Sequence, residues 1–371
     1  MGEDDTSTDY LDRSCEANLQ GINRFDRALN YFQYVRKYLK GHRHHFYSVF
    51  GVGHESEKIF KSQEAKIIFF QKSLTNDHFI INRIGQKNDA KITETNESLV
   101  FFGGGKNEKN GFLHLLRNAK EGDFLILSTK KVINHRYTHY LWNLAKKNNI
   151  KVNSISTIST FTESRGKDSH ILSTVKNAEA IFFTGGDQYR YKNFWENSDL
   201  LKEIRKKMEQ GIPVGGSSAG LAILGEYYFS AENGTIYSNE ALKNPESFKI
   251  TIEKNLLSSN LSKNLITDTH FSERNREGRL ISFMSKISKK NDVVYGIGVD
   301  ENTSLVLEKN RMRTYGEGDV FVYKHSRIIK SGLNFGPISR WKLEKGEIYP
   351  HYDRLMNSPN YLQVSDGIIF N

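Results

Sequence analysis

Along most of the chain, short apolar runs alternate with longer segments in which apolar residues recur at helical spacing. The runs Leu99–Phe102, Phe124–Ser128 and Ala180–Thr184 have the length and composition of buried strands. Helical spacing marks 137–148 and 200–208. Because buried strands alternate with helices, we predict an α/β fold with a mostly parallel sheet flanked by helices.

The first part of the chain has a different pattern. Apolar residues at helical spacing over 22–40 predict an amphipathic helix, and the apolar runs 65–70 and 78–81 predict two short strands. A polar stretch then separates this part from the alternating pattern. We therefore predict three regions: a small α+β accessory region at 1–97, a catalytic α/β domain at 98–340 and a C-terminal tail segment at 341–371.

The composition excludes two broad classes of protein. An apolar content of 37% over 371 residues is enough for a substantial core, so the chain is not of the disordered class. The formal net charge is +10, but Lys and Arg are spread along the chain without a zinc-finger or aromatic RNA-binding motif. No nucleic-acid partner is therefore expected, and the charge fits a polyanionic substrate and simple solubility equally well.

The cysteines and histidines of the N-terminal part give no metal-site pattern. A single cysteine, Cys15, excludes an intrachain disulfide and a multi-cysteine metal site. His42, His44, His45 and His54 have no carboxylate at ligand spacing, so we interpret them as a solvated basic turn. We predict no metal and no cofactor.

The hydropathy pattern bears on location. No apolar run reaches about 18 residues, so no membrane span is predicted. The acidic start lacks the form of a signal peptide, which favours the cytoplasm, while a removed signal peptide stays open. A homodimer is an open alternative for the assembly.

The strongest chemical signal is the stretch 216–220, with the residues Gly-Ser-Ser-Ala-Gly, directly after a short apolar strand. This G-x-S-x-G pattern is typical of a nucleophile elbow, in which a tight strand-to-helix turn lifts the hydroxyl of Ser218 clear of a sheet. Glycines are needed there because a Cβ at either flank would collide with neighbouring backbone. A glycine- and serine-rich loop is the alternative interpretation.

A serine nucleophile needs a general base, and three histidines follow the elbow. His270 comes directly after the apolar run 265–269, so it falls at the sheet edge where Ser218 should emerge. His325 lies in a late strand without a nearby acid, and His351 lies in the tail segment. We therefore predict that His270 is the base and interpret the other two histidines as structural.

Acids and glycines also follow predicted strands. Asp300 and Glu301 follow the strand at 296–299, and either acid could orient the imidazole. Gly185 and Gly186 follow another strand, where they could offer N–H groups to an oxyanion or form a plain turn. Residues 103–106, Gly-Gly-Gly-Lys, lack the spacing of a phosphate loop, which favours a tight turn.

Three arginines follow the predicted base within a few positions: Arg274, Arg276 and Arg279. If they line a cleft, their guanidinium groups would clamp carboxylates through paired hydrogen bonds. If they lie on an exposed helix, they form an ordinary basic face. Their spacing leaves both interpretations open.

Five segments, taken in order, resemble the successive motifs of the cyanophycinase family. They are Ser164-Arg165 with Asp168, the glycine-pair segment 182–188, the serine turn 216–220, the segment 268–271 with its three arginines, and 296–301. The resemblance covers about 98–325. Members of this family are serine peptidases related to aspartyl dipeptidase, on a fold similar to class I glutamine amidotransferases. They cleave cyanophycin, an aspartate backbone with arginine on each β-carboxyl, and release β-Asp-Arg dipeptides.

The resemblance implies a role for particular residues of this chain. It implies Ser218 as the nucleophile, His270 as the general base and Glu301 as the acid that orients the base. It implies that the N–H groups of Gly186 and Ala219 form the oxyanion hole. The expected partner is an aspartyl-rich peptide or cyanophycin-like polymer. The implied substrate-binding residues are Asp187, Gln188, Arg165, Asp268, Arg274, Arg276 and Arg279.

Two positions depart from the family pattern. Ser217 stands where members usually have threonine, and Thr269 stands where they usually have glutamine. The second departure removes an amide beside the expected base, so it bears on the substrate more than on the chemistry. An isoaspartyl or aspartyl dipeptidase with the same triad is the nearest alternative. A non-catalytic binding protein on a peptidase fold is the alternative from another class.

Overall fold

The computed structural model describes residues 11–18, 20, 23–38, 52–61, 79–90, 92, 94–130, 136–160, 167–326, 334–355 and 359–370. The chain forms two compact units, 1–77 and 78–371. The described part of the first unit contains the helices α1 (Cys15–Asn18), α2 (Arg24–Tyr38) and α3 (Ser56–Lys61).

Helix α2 matches the helix predicted from hydrophobic spacing, and a local hydrogen-bond pair explains where it begins. Oδ1 of Asn23 accepts from the backbone N–H of Asp26 at 2.8 Å, and Nδ2 of Asn23 donates to the Asp26 carboxylate at 2.9 Å. An asparagine at this position satisfies an N–H group that has no partner within the helix. The predicted strand at 65–70 and the histidines His42, His44 and His45 lie outside the described residues.

The second unit contains the remaining described helices and the strands. The helices are α4 (Lys109–Asn118), α5 (Arg136–Lys147), α6 (Ser169–Lys176), α7 (Gln188–Trp195), α8 (Asp199–Glu209), α9 (Ala219–Ala222), α10 (Ser238–Lys243) and α11 (Glu277–Ser288). The strands are β1 (Phe79–Gly85), β2 (Ser98–Phe102), β3 (Glu121–Ser128), β4 (Val152–Thr160), β5 (Ala180–Phe183), β6 (Pro213–Ser217), β7 (Tyr227–Phe229), β8 (Ile252–Lys254), β9 (Leu265–Thr269), β10 (Val293–Val299), β11 (Thr303–Leu307), β12 (Arg311–Gly316), β13 (Val320–Ser326), β14 (Phe335–Leu343), β15 (Ile348–Pro350), β16 (Asn360–Ser365) and β17 (Ile368–Phe370).

These strands form two sheets. The first has the order β1-β4-β3-β5-β6-β2-β11-β12-β15, and the second has the order β17-β16-β14-β13-β10-β9-β7-β8. In the first sheet, β4, β3, β5, β6 and β2 are parallel neighbours, while β1 and β11 pair antiparallel at either side of them. In the second sheet, β9 lies parallel to both β10 and β7. The predicted α/β class is confirmed.

The strands that carry the parallel pairing are buried on both faces. In β2, Leu99 and Phe101 belong to one apolar cluster, whereas Val100 and Phe102 belong to another. Because side chains alternate across a strand, a strand covered on both faces needs an unbroken apolar run. Helices α6 and α8 contribute to the first cluster, and helices α4 and α5 contribute to the second.

The compact units do not divide where the polar stretch before residue 98 suggests. The boundary lies between Asp77 and His78, because β1 pairs with β4 along its whole length and so joins the first sheet. Much of the region predicted as a C-terminal tail segment also forms strands: β15 extends the first sheet, and β16 and β17 extend the second.

The chain passes between the two sheets close to the residues of interest. Strand β10 belongs to the second sheet and β11 to the first, and only Asp300, Glu301 and Asn302 connect them. Strand β6 of the first sheet likewise leads through α9 to β7 of the second. Strand ends from both sheets therefore meet around this crossing.

Two further findings concern the described residues only. None of their helices is both long enough and apolar enough to cross a membrane. None of their His, Cys, Asp and Glu side chains form a group of three or more that could hold a metal ion.

Candidate active site

Ser218 occupies a strained turn between β6 and α9. Its backbone has φ +51° and ψ −115°, in the left-handed half of conformational space that non-glycine residues rarely adopt. A Cβ on Gly216 would lie 2.2 Å from the carbonyl oxygen of Gly220, and one on Gly220 would lie 2.2 Å from that of Phe183. Both glycines are therefore required for the backbone to close around the serine.

The hydroxyl of Ser218 contacts the imidazole of His270. Ser218 Oγ and His270 Nε2 are 2.8 Å apart. The backbone N–H of Ser218 donates to the carbonyl of Phe102 at 3.0 Å, and that of His270 donates to the carbonyl of Gly103 at 2.8 Å. Both residues are thus tied to the end of β2. His270 itself has a left-handed φ of +46°, which turns the chain sharply after β9.

The other imidazole nitrogen, Nδ1 of His270, is hydrogen-bonded to Oε1 of Glu301. An ionised carboxylate only accepts hydrogen bonds, so Nδ1 carries the proton and Nε2 is left to accept from Ser218. The adjacent acid does something else: Asp300 accepts from the backbone N–H groups of Ser272 at 2.8 Å and Asp319 at 3.0 Å. Of the two acids that the sequence left open, Glu301 is the one in contact with the imidazole.

The surroundings of His270 keep its imidazole neutral. Burial lowers the pKa of His270 below its usual value of 6.5, and the positive charges of Arg274 and Arg276 lower it further. The hydrogen bond to Glu301 opposes these effects without reversing them. A neutral imidazole near pH 7 is the form that can accept a proton from a hydroxyl.

Gly104 lies against the ring of His270, which the sequence did not reveal. A Cβ on Gly104 would lie 2.3 Å from Cε1 of His270, and Gly104 has a φ of +112°. Its carbonyl accepts from the N–H of Asn302 at 2.9 Å, next to Glu301. The glycine turn after β2 therefore forms one wall of the imidazole pocket. The three consecutive glycines indicated a tight turn, but they could not indicate the contact with His270, which lies far away in the sequence.

Two backbone segments flank the serine hydroxyl. A Cβ on Gly185 would lie 3.2 Å from Cβ of Ser218, so the end of β5 packs directly on the nucleophile candidate, with Gly186 next along the chain. Ala219 is the first residue of α9, and the N–H groups of a helix's first turn have no partner within the helix. The side chain of Lys130, a residue that the sequence did not single out, runs past Gly186.

Asp268 and Arg279, both expected to bind substrate, are paired with each other in the interior. The Arg279 guanidinium donates two hydrogen bonds of 2.6 Å to the Asp268 carboxylate, and the two residues are 5% and 3% exposed. Burial alone would raise the pKa of Asp268, but the charge and hydrogen bonds of Arg279, together with the charge of Arg276 and the N–H of Thr269, outweigh burial and lower that pKa. Direct contact with substrate would require this pair to open.

Arg276 lies between this pair and the base. Its Nη1 donates to the carbonyl and hydroxyl oxygens of Thr269, at 2.7 Å and 3.0 Å, and to Asp268 at 3.2 Å. Burial lowers the pKa of Arg276 to about 10. Thr269 therefore holds an arginine beside His270.

The remaining predicted binding residues are more accessible. Asp187 caps α7, where it accepts from the N–H of Tyr189 at 3.0 Å, and about half of its side chain is exposed. Gln188 is half-buried and Arg274 is exposed. Arg165 lies outside the described residues.

The two other late histidines lie in different surroundings. His325 is 1% exposed in β13, and burial lowers its pKa to about 4. His351 Nδ1 contacts Asp353 at 2.8 Å, and its Nε2 contacts the carbonyl of Leu261 at 3.2 Å. Neither contacts Ser218, which agrees with their interpretation as structural residues.

The fold and this geometry together define a class of protein. Serine-type hydrolases share three features. They have a serine on a strained strand-to-helix turn, an imidazole hydrogen-bonded to that serine and a carboxylate on the far side of the imidazole. The sequence model of the family described as "Peptidase family S51" matches residues 128–315, just over half of the chain. The chain belongs to peptidase family S51, and the similarity to cyanophycinases inferred from its motifs is confirmed.

Named relatives show how far this similarity extends. A cyanophycinase from Geminocystis herdmanii is 30% identical over 160 residues, which cover 43% of this chain and 54% of that protein. A peptidase E from Nostoc sp. is 28% identical over 180 residues, covering 48% and 62%. The chain thus spans about half the length of the curated relatives it matches. The crystal structure of a peptidase from an acI-B1 actinobacterium matches with a TM-score of 0.47 at 16% identity, covering 70% of this chain and 98% of that one.

Proposed function

We propose that this protein is a serine peptidase that hydrolyses aspartyl-rich peptides built from β-Asp-Arg units, through an acyl-enzyme. One observation carries the proposal: a continuous hydrogen-bonded path from the Ser218 hydroxyl through both nitrogens of His270 to the Glu301 carboxylate. Such a path is what converts a weakly nucleophilic hydroxyl into a reactive one. Membership of a peptidase family supports the reaction class.

In the proposed reaction, Nε2 of His270 takes the proton from Ser218 as Oγ attacks the scissile carbonyl carbon. Glu301 keeps the imidazole in the required tautomer and stabilises the imidazolium that forms. The tetrahedral intermediate collapses as His270 gives its proton to the leaving amine, which leaves an ester on Ser218. Water, deprotonated by the same imidazole, then hydrolyses that ester and restores the serine.

The oxyanion of the tetrahedral intermediate needs hydrogen-bond donors at a fixed position. We assign this role to the N–H groups of Gly186 and Ala219. The close packing of Gly185 on Ser218 supports the assignment, because it brings the end of β5 to the attacking atom. The amino end of α9 adds a favourable partial positive charge, although this helix is short.

For the substrate, the accessible groups around the triad carry both signs of charge. Arg274 and the partly accessible Arg276 suit carboxylates, and the exposed Asp187 suits a guanidinium or an amine. A peptide built from β-Asp-Arg units offers both charges. The likeness to a peptidase E and the Thr269 departure favour an aspartyl or isoaspartyl dipeptidase as the second candidate.

The decisive experiment compares Ser218→Ala with the wild-type chain on cyanophycin and on α- and β-aspartyl dipeptides. We expect the rate to fall by about three orders of magnitude or more on whichever substrate the wild-type chain cleaves. Ser217→Ala is the matched control, because it removes the neighbouring hydroxyl of the same turn. It should retain most of the activity.

The substrate panel separates the two candidates. Cleavage of the polymer supports the β-Asp-Arg proposal, and cleavage confined to dipeptides supports the dipeptidase. Equal hydrolysis by wild-type and Ser218→Ala chains would contradict the nucleophile assignment. An absence of hydrolysis on every substrate, together with no labelling of Ser218 by a serine-directed phosphonate, would favour a binding protein instead.

A further inference from the structure

Lys130 lies at the same edge of the first sheet as Ser218 and outside the proposed triad. It follows the end of β3, two positions after Ser128. Strand β3 pairs in parallel with β5, and β5 ends at the glycine pair that packs on Ser218. Parallel strands end at a common edge of the sheet. Lys130 therefore follows the end of a strand that neighbours β5, the strand whose end packs on Ser218.

Buried hydroxyl groups fix the backbone of Lys130. Its N–H donates to Oγ of Ser128 at 3.2 Å, and the hydroxyl of Thr184 donates to the same oxygen at 3.0 Å. The carbonyl of Lys130 accepts from the hydroxyl of Ser159. Ser128, Thr184 and Ser159 are 7%, 6% and 0% exposed. Because these three residues come from the ends of β3, β5 and β4, the lysine is attached to three strands rather than to a free loop.

The side chain of Lys130 lies along Gly186, next to the glycine that packs on Ser218. A Cβ on Gly186 would lie 3.1 Å from Cε of Lys130 and 3.6 Å from its Cγ. The neighbouring position, Gly185, would place a Cβ 3.9 Å from Oγ of Ser218. Consecutive Cα atoms are about 3.8 Å apart, so the lysine contacts the residue next to the one that packs on Ser218.

The charge of Lys130 is available to a ligand. The residue is exposed, and within the described part of the chain no carboxylate lies within ion-pair distance of its ammonium group. Asp187, the acid next to Gly186 in the chain, caps α7 and lies 3.8 Å from Arg190. A lysine whose backbone is fixed and that has no carboxylate partner among the described residues is suited to bind an anionic group as a point charge.

We propose that Lys130 is a specificity-determining residue that binds a carboxylate of the peptide whose scissile carbonyl lies over Ser218. This inference rests on the proposed function and narrows it to acidic peptides. Arg274 and Arg276 lie on the His270 side of the triad, whereas Lys130 approaches from the Gly186 side. Lys130 and the arginines thus give a substrate two separate points of attachment for negative charge.

The experiment uses the two-unit fragment of cyanophycin, with its carboxylates free or amidated one position at a time. We expect Lys130→Gln to raise KM at least tenfold for the free fragment and to change kcat less than threefold. Amidation of the carboxylate that Lys130 contacts should remove this difference between variant and wild type. Lys130→Arg, which keeps the charge, should restore most of the affinity, and Lys176→Gln, an exposed lysine at the end of α6, should behave as wild type.

Two results would overturn the inference. One is an unchanged KM for the free fragment in Lys130→Gln, while hydrolysis still depends on Ser218. The other is a loss of kcat that is the same for free and amidated fragments, because that would place the lysine on the oxyanion instead. A complete absence of Ser218-dependent hydrolysis is a failure of the proposed function. In that event, calorimetric titration of the same fragments into Ser218→Ala, with and without Lys130→Gln, tests the carboxylate contact by itself.

Discussion

Polar side chains lie in contrasting surroundings at the carboxyl and amino ends of the parallel strands of the first sheet, here called its carboxyl and amino edges. At the carboxyl edge, Ser218 and His270 both adopt left-handed backbone conformations, and their side chains meet in a partly open site. At the amino edge, the acids Asp123 and Glu179 lie near the start of β3 and β5, where neither residue has such a conformation. Left-handed φ values also occur away from the site, as at Lys120 and Glu121 at the start of β3, so it is the side-chain contact between two left-handed residues that distinguishes the carboxyl edge.

At the amino edge, partners surround each acid. Asp123 accepts hydrogen bonds from the side chains of Asn153 and Ser154 and from the N–H of Ala90. Glu179 accepts from the N–H of Asp123 at 2.7 Å and is 6% exposed. These contacts hold strand ends together. The proposed catalytic groups therefore lie at one edge, whereas at the other edge hydrogen bonds to acids join strand ends.

The largest effect that tests this contrast is expected from Glu301→Gln. The amide can donate to Nδ1 and so favour the wrong imidazole tautomer, and kcat should fall by about 10²- to 10⁴-fold. Because a third of the Glu301 side chain is exposed, at 32%, the free energy of unfolding should change by less than about 1 kcal/mol. Steady-state kinetics and denaturant unfolding measure the two quantities.

The adjacent acid is the control for this prediction. Asp300→Asn leaves the His270–Glu301 pair in place but weakens the acceptor of two backbone N–H groups. We therefore expect the free energy of unfolding to fall while kcat stays close to the wild-type value. If Glu301→Gln destabilises the fold as much as Asp300→Asn does, the separation between reactive and structural charges does not hold at this edge.

The next effect in size concerns Asp268→Asn, which leaves the Arg279 guanidinium buried without its counter-charge. We expect a loss of about 3 to 5 kcal/mol in the free energy of unfolding. Asp123→Asn is the matched variant, and it should cost less because its cationic partner, Arg83, is 28% exposed and can be solvated. Urea titrations of both variants give the comparison, and equal losses would show that the burial of the arginine does not decide the cost.

The smallest effect is expected from Glu179→Gln. Burial raises the pKa of Glu179 to about 7 from its ordinary 4.5. The free energy of unfolding therefore falls as pH rises from 4.5 to 7, and it stays lower above that range. The neutral glutamine removes this penalty. We expect stability to rise by about 1 to 3 kcal/mol at pH 8, and by less than about 1 kcal/mol at pH 5.

Thermal unfolding of Glu179→Gln and the wild-type chain at the two pH values measures the difference, and peptidase activity should stay unchanged. A gain that is the same at pH 5 and pH 8 would mean that the carboxylate charge is not its cause.

Local sequence patterns were sufficient for the elements that depend on neighbouring residues. The glycines at 216 and 220 predicted the turn around Ser218 because a close backbone approach excludes a Cβ. The apolar runs predicted β2, β3 and β5 because strands covered on both faces need them. Helix α8 begins after Ser198, whose hydroxyl caps the helix by accepting from the N–H of Leu201.

Contacts between distant segments could not be predicted in this way. Gly104 lies against His270, but nothing in its local sequence distinguishes a pocket wall from an ordinary turn. Asp268 and Arg279 were each suited to bind substrate, and only the fold shows that they pair with each other. The choice of Glu301 over Asp300 depended on which side chain faces the imidazole, and two adjacent acids carry no such information.

The short crossing at Asp300, Glu301 and Asn302 has a consequence for the order of events during synthesis. His270 follows Ser218 by 52 positions, and Glu301 follows His270 by 31. A growing chain, made from its amino end, presents the serine first and the orienting carboxylate last. The proposed triad is therefore complete only after Glu301 has been made, and a half-made chain lacks the carboxylate that orients His270.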